Sequence, residues 1–490
     1  MEQGDNDKKI KFSNSQREET IKSDKKLIET SKIKILENNE KYEESPHRWY
    51  NLVSYCLILF ANGFQWLTFS TISKNFSVYY KISLWKVKFF SVIYFIIYPF
   101  LCIPEGWLFE NYLLKKGLMI SSVTTLIGSF FKIFVNNDKT LTVCYLGQIL
   151  PALFRPILLN SPGKIASNWF KEEKRTLICS ICCLCDTFGI LVGYLFNLAF
   201  IREKDTKNRD DFREKVFRYM LSEFIIVIFF CMPVFFIEKD KPDNPSSPSE
   251  NKNKFELIKD LKELFTNLKF IFLLISSFFI IGYYFIILNI FNDLLDIYQI
   301  DKNQCTIIYS VSVIVGIISS LIFSFLMDKY KKFKLFLNIF CISAIVFQVF
   351  LTFLLELVES RGLNAFAICL IFYILINASI IPFYTIGMNY VCEITYPVSE
   401  SISGGIIMTI AQICGICGTY LFDHFINHNE DKTWIINVIL LIFFVFSFVF
   451  TLLLDDKLLR YKIDKAGIKE ENSQIEDKKN IAEIVEIKQK

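Results

Sequence analysis

The chain has 490 residues, 52% of them hydrophobic and 16% aromatic, and Phe alone occurs 51 times. That composition excludes an ordinary soluble globular protein of this size, because the apolar residues come in runs long enough to cross a bilayer. The formal net charge is only +4, with Lys and Arg gathered in tails and loops, so there is no basic face for nucleic acid.

In chain order, residues 1–48 are rich in Lys, Glu, Asn and Ser and read as a disordered cytoplasmic tail. The start is polar and lacks the pattern of a cleaved signal peptide, so the first apolar helix is expected to act as its own insertion signal. Apolar segments follow at about 50–72, 88–109, 117–136, 141–161, 176–200 and 216–237. These make an N-terminal half over 49–237. Residues 238–269 are a cytoplasmic linker with three prolines, three serines and many charges, and an amphipathic helix is expected near 255–268. Six more segments lie at about 270–292, 305–327, 335–356, 363–388, 401–426 and 433–454, a C-terminal half over 270–455. Residues 456–490 form a second cytoplasmic tail. The fold class is therefore an all-α membrane protein with twelve transmembrane helices in two six-helix halves, the plan of a secondary transporter. No residue-level repeat links the halves. The positive-inside rule places tails and linker in the cytoplasm, although the Lys- and Arg-rich loop 202–218 fits it poorly. Asn75-Phe76-Ser77 is a glycosylation sequon near the membrane surface. The expected partners are a small-molecule substrate and the lipid bilayer, with no nucleic acid, and the protein is read as a monomer in the plasma membrane or an organelle membrane.

One stretch concentrates polar chemistry inside an apolar segment. Asn62, Gln65, Trp66 and Ser70 fall at helical spacing on one face of the first segment, Asn51 to Ile72. Such a face looks into a bundle or a cavity, and Trp66 offers a π surface for a cation. The simpler alternative is that these amides only pack helices together. Cys179, Cys182, Cys183 and Cys185 sit within the fifth segment and are expected to be small buried side chains rather than a zinc site. Of the three histidines, His424 and His428 stand at i and i+4, a spacing more simply explained by a solvated helix end than by metal. No metal and no cofactor is expected. No nucleophile motif or His–carboxylate pattern appears, so the chain is not read as an enzyme. Glu110 with Lys115 and Lys116 follows the second segment, and Asp328 with Lys329 follows the eighth. These are candidate gating charges, or ordinary topogenic charge; as a gate, Asp328 is expected to form an ion pair with the other half.

Several motifs between about residues 48 and 455 carry a resemblance: R-W-Y-N-L at Arg48, N-G-F-Q-W at Asn62, P-E-G-W-L-F-E at Pro104, G-Q-I-L at Gly147, S-P-G-K-I-A-S-N-W-F at Ser161, E-I-T-Y-P-V-S-E-S at Glu393 and A-Q-I-C-G-I at Ala411. In these the chain resembles the feline leukaemia virus subgroup C receptor-related transporters, a branch of the major facilitator superfamily, which move choline and related amines and have also been assigned haem. The resemblance implies the major facilitator fold and a central cation box. In it Asn62, Trp66 and Gln412 match family positions, and the aromatic residue of the seventh helix falls at Phe285, beside Tyr283 and Tyr284. Where the family carries a glutamine in the fourth helix this chain has Arg155, and where it carries an asparagine in the fifth it has Asp186. An isolated Arg near the bilayer centre costs at least ~2.5 kcal/mol, so it needs a partner, a cavity or a substrate. Counted from the helix ends, the two residues lie at similar depth, which predicts an intramembrane ion pair. The rival arrangement leaves Arg155 unpaired and facing an anionic substrate. The expected function is a secondary transporter of choline or a related amine. The alternatives are a transporter of haem or another amphipathic anion, and a transport-inactive, receptor-like membrane protein.

Overall fold

In hydrocarbon every backbone amide and carbonyl must find its partner within the segment, so long apolar runs become helices. The computed structural model describes residues 45–69, 72–111, 114–136, 141–200, 209–242, 244–250, 256–361, 363–428, 434–467 and 469. Most of the tails expected at 1–48 and 456–490 therefore lies outside the described residues, as do 201–208 of the loop that broke the charge rule.

The N-terminal half comprises α1 (Arg48–Trp66), the short α2 (Ser73–Tyr80), α3 (Leu84–Asn111), α4 (Leu114–Lys132), α5 (Leu141–Leu153), α6 (Arg155–Asn160), α7 (Pro162–Trp169), α8 (Arg175–Phe200) and α9 (Arg209–Cys231). The expected amphipathic linker helix is α10 (Leu257–Thr266). The C-terminal half comprises α11 (Leu268–Asp296), α12 (Lys302–Tyr330), α13 (Phe333–Arg361), α14 (Ala365–Ile394), α15 (Glu400–His428) and α16 (Trp434–Leu452). Among the described residues, 11 stretches are long and apolar enough to cross a membrane, and α5 with α6 counts as one of them. The more amide-rich α1, of 19 residues, takes the remaining place beside them. Large apolar side chains point outward, Phe100 at 75% exposure and Phe229 at 73%, as a lipid-facing surface requires.

The two halves are built alike. The first spanning helix of each packs along the fifth, α1 on α8 and α11 on α15. Glycines set the distance in both pairs. A Cβ on Gly189 would lie 2.3 Å from the Phe60 carbonyl oxygen, and one on Gly193 2.2 Å from that of Phe64. Gly189 and Gly193 form a small-x-x-x-small pair that lets the α1 and α8 backbones touch. Across the other pair, a Cβ on Gly282 would meet Cys414 Sγ at 2.5 Å.

Three segments carry more structure than the sequence shows. The segment at 141–161 is not one straight span: it breaks at Phe154, between α5 and α6, and again at Ser161. Pro151 and Pro156 withhold backbone donors there, and the residue ahead of a proline is biased away from helical geometry. The linker is not wholly solvated. Ser246, Ser247 and Ser249 are buried, and Ser246 Oγ donates to the Ser167 carbonyl at 2.6 Å. Nor is the start of the C-terminal tail free, since residues 459–467 are helical and Arg460 and Asp464 are fully buried. These polar residues leave water because each finds an opposite charge, a hydroxyl or a main-chain carbonyl.

The α1–α8 contact leads to a stability prediction. Gly193→Ala must push the two helices apart, at the ~1–3 kcal/mol usual for overpacking. The purified protein should unfold several degrees below wild type; an unchanged midpoint would refute the contact.

Candidate functional site

The last turn of α1 carries Asn62 and Trp66 into the interior of the bundle, where Trp66 meets both halves. The ring of Trp66 is fixed by its Nε1, which donates to the Ser91 carbonyl at 3.0 Å. The main-chain carbonyl of Trp66 accepts from Gln148 Nε2 at 3.2 Å. Arg155 opens α6 directly after the helix break, and its guanidinium lies over the Trp66 ring, 4.8 Å from the centroid. It also lies 5.7 Å from the Tyr94 ring. Nη2 donates to Asp186 Oδ2 at 2.9 Å, and Nη1 to Asn62 Oδ1 at 2.6 Å. Asn62 in turn donates to the Pro151 carbonyl at 3.1 Å, a group freed by the same break. Gly63 matters here, because a Cβ would lie 2.8 Å from Asp186 Oδ1 and keep the carboxylate from closing on α1.

The ion pair expected from helix depth is thus present, and the rival with an unpaired Arg155 is not. The aromatic face expected to take a substrate cation already carries the protein's own cation.

From the C-terminal half, Phe285 meets Trp66 edge-on at 6.4 Å between centroids and Phe95 at 5.3 Å. Gln412 is buried on α15 one turn before Gly415, where a Cβ would contact Phe285 at 2.8 Å and Phe95 at 3.9 Å, so it shares the stripe that faces the site. Tyr284 packs beside Phe285, 5.7 Å between ring centroids, and also lines a crevice with Tyr283, Tyr309, Tyr373 and Asn377. The Gln65 carbonyl accepts from Lys132 Nζ at 3.5 Å, and neither of its amide atoms has a hydrogen-bond partner among the described residues. Helix α1 ends at Trp66, held by Thr68 Oγ1 donating to the Gln65 carbonyl at 2.8 Å, so the expected polar face is cut short. Ser70 lies outside the described residues.

The candidate gating charges make contacts other than those expected. Asp328 reaches the other half, but as an acceptor of backbone amides: Thr176 N at 3.0 Å and Leu177 N at 2.8 Å, both at the positive N-terminal end of α8. Its ion pair is with Lys331 of its own half, at 3.0 Å. Asp328 sits opposite a helix start rather than a cation. Glu110 pairs with Lys164 at 2.8 Å and accepts from the Ser399 hydroxyl of the other half at 2.5 Å. Lys115 uses its backbone amide to bind Asp240 at 2.7 Å.

Other functional candidates were not singled out from the sequence. Arg175 is buried and binds Asp464 at 2.9 Å and Ser247 Oγ at 2.9 Å. Arg460 binds Glu400 at 2.9 Å and Ser249 Oγ at 3.2 Å. Burial pushes the Asp464 carboxyl up, but Arg175 and Arg460 outweigh it and hold it below its ordinary value. Linker, tail and both halves are thereby tied together on the side that carries the linker. On the far side Lys88 of α3 bridges Asp293 at 2.9 Å and Asp423 at 2.7 Å, joining the halves there. Beside it a cavity of about 160 Å³, lined by Lys88, Tyr194, Asn289, Asp293 and Leu67, reaches the residue next to Trp66. Lys132 and Glu223 form a wholly buried pair behind the site. Both lie in apolar segments, so the reasoning that flagged Arg155 would have found them.

A bundle of two like halves with an occluded polar centre is the architecture of an alternating-access transporter. The chain belongs to the Major Facilitator Superfamily, whose profile matches residues 52–393. It is a multi-pass integral membrane protein. It is 25% identical to the choline/ethanolamine transporter FLVCR1 of Felis catus, over 86% of this chain and 75% of that one. To the human choline/ethanolamine transporter FLVCR2 it is 22% identical, over 90% and 83%. An uncharacterised MFS-type transporter of Caenorhabditis elegans is 25% identical over 79% of this chain and 66% of its own length. These relatives agree with the motif resemblance. Among solved structures, the fucose:proton symporter FucP of E. coli superposes with a TM-score of 0.60 at 11% identity, over 82% of this chain and 97% of that one.

Breaking a buried pair from one side strands a charge, typically at ~3–5 kcal/mol. Arg155→Gln alone and Asp186→Asn alone should each reduce the yield of folded protein or its transport severely. The double variant, which leaves no charge behind, should recover much of the loss. A double variant no better than the worse single one would show that the pair does not act as a unit.

Proposed function

We propose that the chain moves a small organic amine, choline or a related compound, by alternating access about the Trp66–Arg155–Asp186 site. The observation that supports this most directly is that Trp66, in the closed centre between the halves, already holds a cation on its face with a carboxylate beside it. A substrate ammonium would use the same two groups, with Phe285 walling the site and Gln412 orienting the ligand. The names of the choline/ethanolamine relatives favour the same class. An amphipathic anion such as haem is the second reading, favoured by the guanidinium of Arg155; its engagement with Asn62 and Asp186 counts against it.

In this reading the linker, both tails and the Asp328 contacts lie in the cytoplasm, Glu110 and Asp328 belong to the cytoplasmic gate, and Lys88 closes the outer side. The protein works as a monomer, in the plasma membrane or an organelle membrane. Protease added outside sealed cells should leave the 238–269 linker intact; external cleavage there reverses the orientation.

A cation over a desolvated aromatic ring gains up to ~2 kcal/mol, so Trp66→Ala should weaken amine binding by an order of magnitude or more, and Trp66→Phe by less. Labelled choline and ethanolamine uptake into proteoliposomes is the measurement. No uptake of any ammonium compound by wild type, or Ala and Phe variants indistinguishable from wild type, would remove the amine reading.

A further inference from the structure

The site presents a difficulty to any simple cation. Arg155 is 3% exposed, lies 4.8 Å from the Trp66 centroid and is bound to Asp186 at 2.9 Å. An arriving ammonium that takes the Trp66 face must displace the guanidinium, since like charges cannot share one ring. It also competes for Asp186. The outcome is two buried cations with one carboxylate between them, and an uncompensated guanidinium in a membrane bundle is strongly disfavoured. The neighbouring charges offer no relief. Glu105 is committed to the Ile157 amide at 3.1 Å, and Lys132 and Glu223 are paired with each other.

A substrate that brings its own anion removes the difficulty. Its ammonium takes Trp66 and Asp186, and its acidic group takes Arg155, so two positive charges meet two negative ones. A further donor is at hand: the Tyr94 hydroxyl is buried beside the guanidinium and has no hydrogen-bond partner among the described residues.

We propose that Arg155 makes this transporter selective for small zwitterionic amines, an ammonium and an acidic group in one molecule, over amine alcohols such as choline and ethanolamine. Arg155 is then the specificity-determining residue. While the site is empty of substrate, it acts as a tethered cation that covers the aromatic face. This rests on the amine reading of the Trp66 site.

The test compares ligands that share one head group. Glycine betaine and choline both carry a trimethylammonium, and betaine has a carboxylate where choline has a hydroxymethyl group. Binding of betaine, choline and acetate to the purified full-length protein is measured by titration calorimetry and thermal shift. Betaine should bind at least tenfold tighter than choline, and acetate far more weakly than betaine. In the Arg155→Gln/Asp186→Asn double variant the order of betaine and choline should reverse. Should that variant fail to fold, the wild-type comparison decides alone. Choline binding as tightly as betaine, with both lost in Trp66→Ala, overturns the zwitterion inference and leaves the amine site standing. Acetate matching betaine also overturns it, in favour of an anion site. If no ammonium compound binds wild type, the amine reading falls with it.

Discussion

A guanidinium held among hydrocarbon-facing helices must be neutralised where it stands, because neither bulk water nor a lipid head group is within reach. Much of the N-terminal half can be read as the answer to that demand at Arg155. The helix break at Phe154 releases the Pro151 carbonyl, which orients Asn62, and Asn62 then accepts from the guanidinium. Gly63 removes the side chain that would hold Asp186 away. The indole of Trp66 is fixed by Ser91 so that its face, rather than its edge, meets the charge. Each of these features is minor alone, and together they define a site whose polarity is already satisfied internally.

That self-satisfaction bears on how the bundle cycles. A ligand entering such a centre must exchange interactions rather than fill a gap, so its affinity is a difference between two sets of contacts. Ligand class and the Arg155 environment are therefore two views of one quantity.

The two ends of the bundle are closed by different means. On the far side, Lys88 spans Asp293 and Asp423 in a half-buried setting beside a solvent-reaching cavity, a compact lock held by one side chain. On the linker side, closure is spread over Asp328 on the start of α8, Glu110 on Ser399, and the Arg175–Asp464 and Arg460–Glu400 pairs with buried serines between them. Opening the second end means unmaking contacts from four chain segments at once. A segment that reads in sequence as a connector, Pro245 to Glu250, thereby becomes part of the closure.

The sequence by itself determined the elements. Apolar run length in a chain so rich in Phe leaves helices as the stable form, and the polar interval at the middle divides them into two halves. It also determined that Arg155 needed a partner, a cavity or a substrate and that Asp186 stood at a similar depth, because the cost of a buried charge is a local property of the residue and its depth. It did not determine what lies on a helix face beyond the next turn, which depends on how helices cross. The polar stripe of α1 ended at Trp66, and Asp328 found a helix start where a cation was expected. Arg175, Ser249, Arg460 and Asp464, scattered through loop, linker and tail, met only because the tertiary fold brought them together. Above all, the tertiary structure decided that Trp66 and Arg155 share one space. Hydropathy and motif spacing each mark one of them, but only the crossing of α1, α6 and α8 lays the guanidinium on the ring.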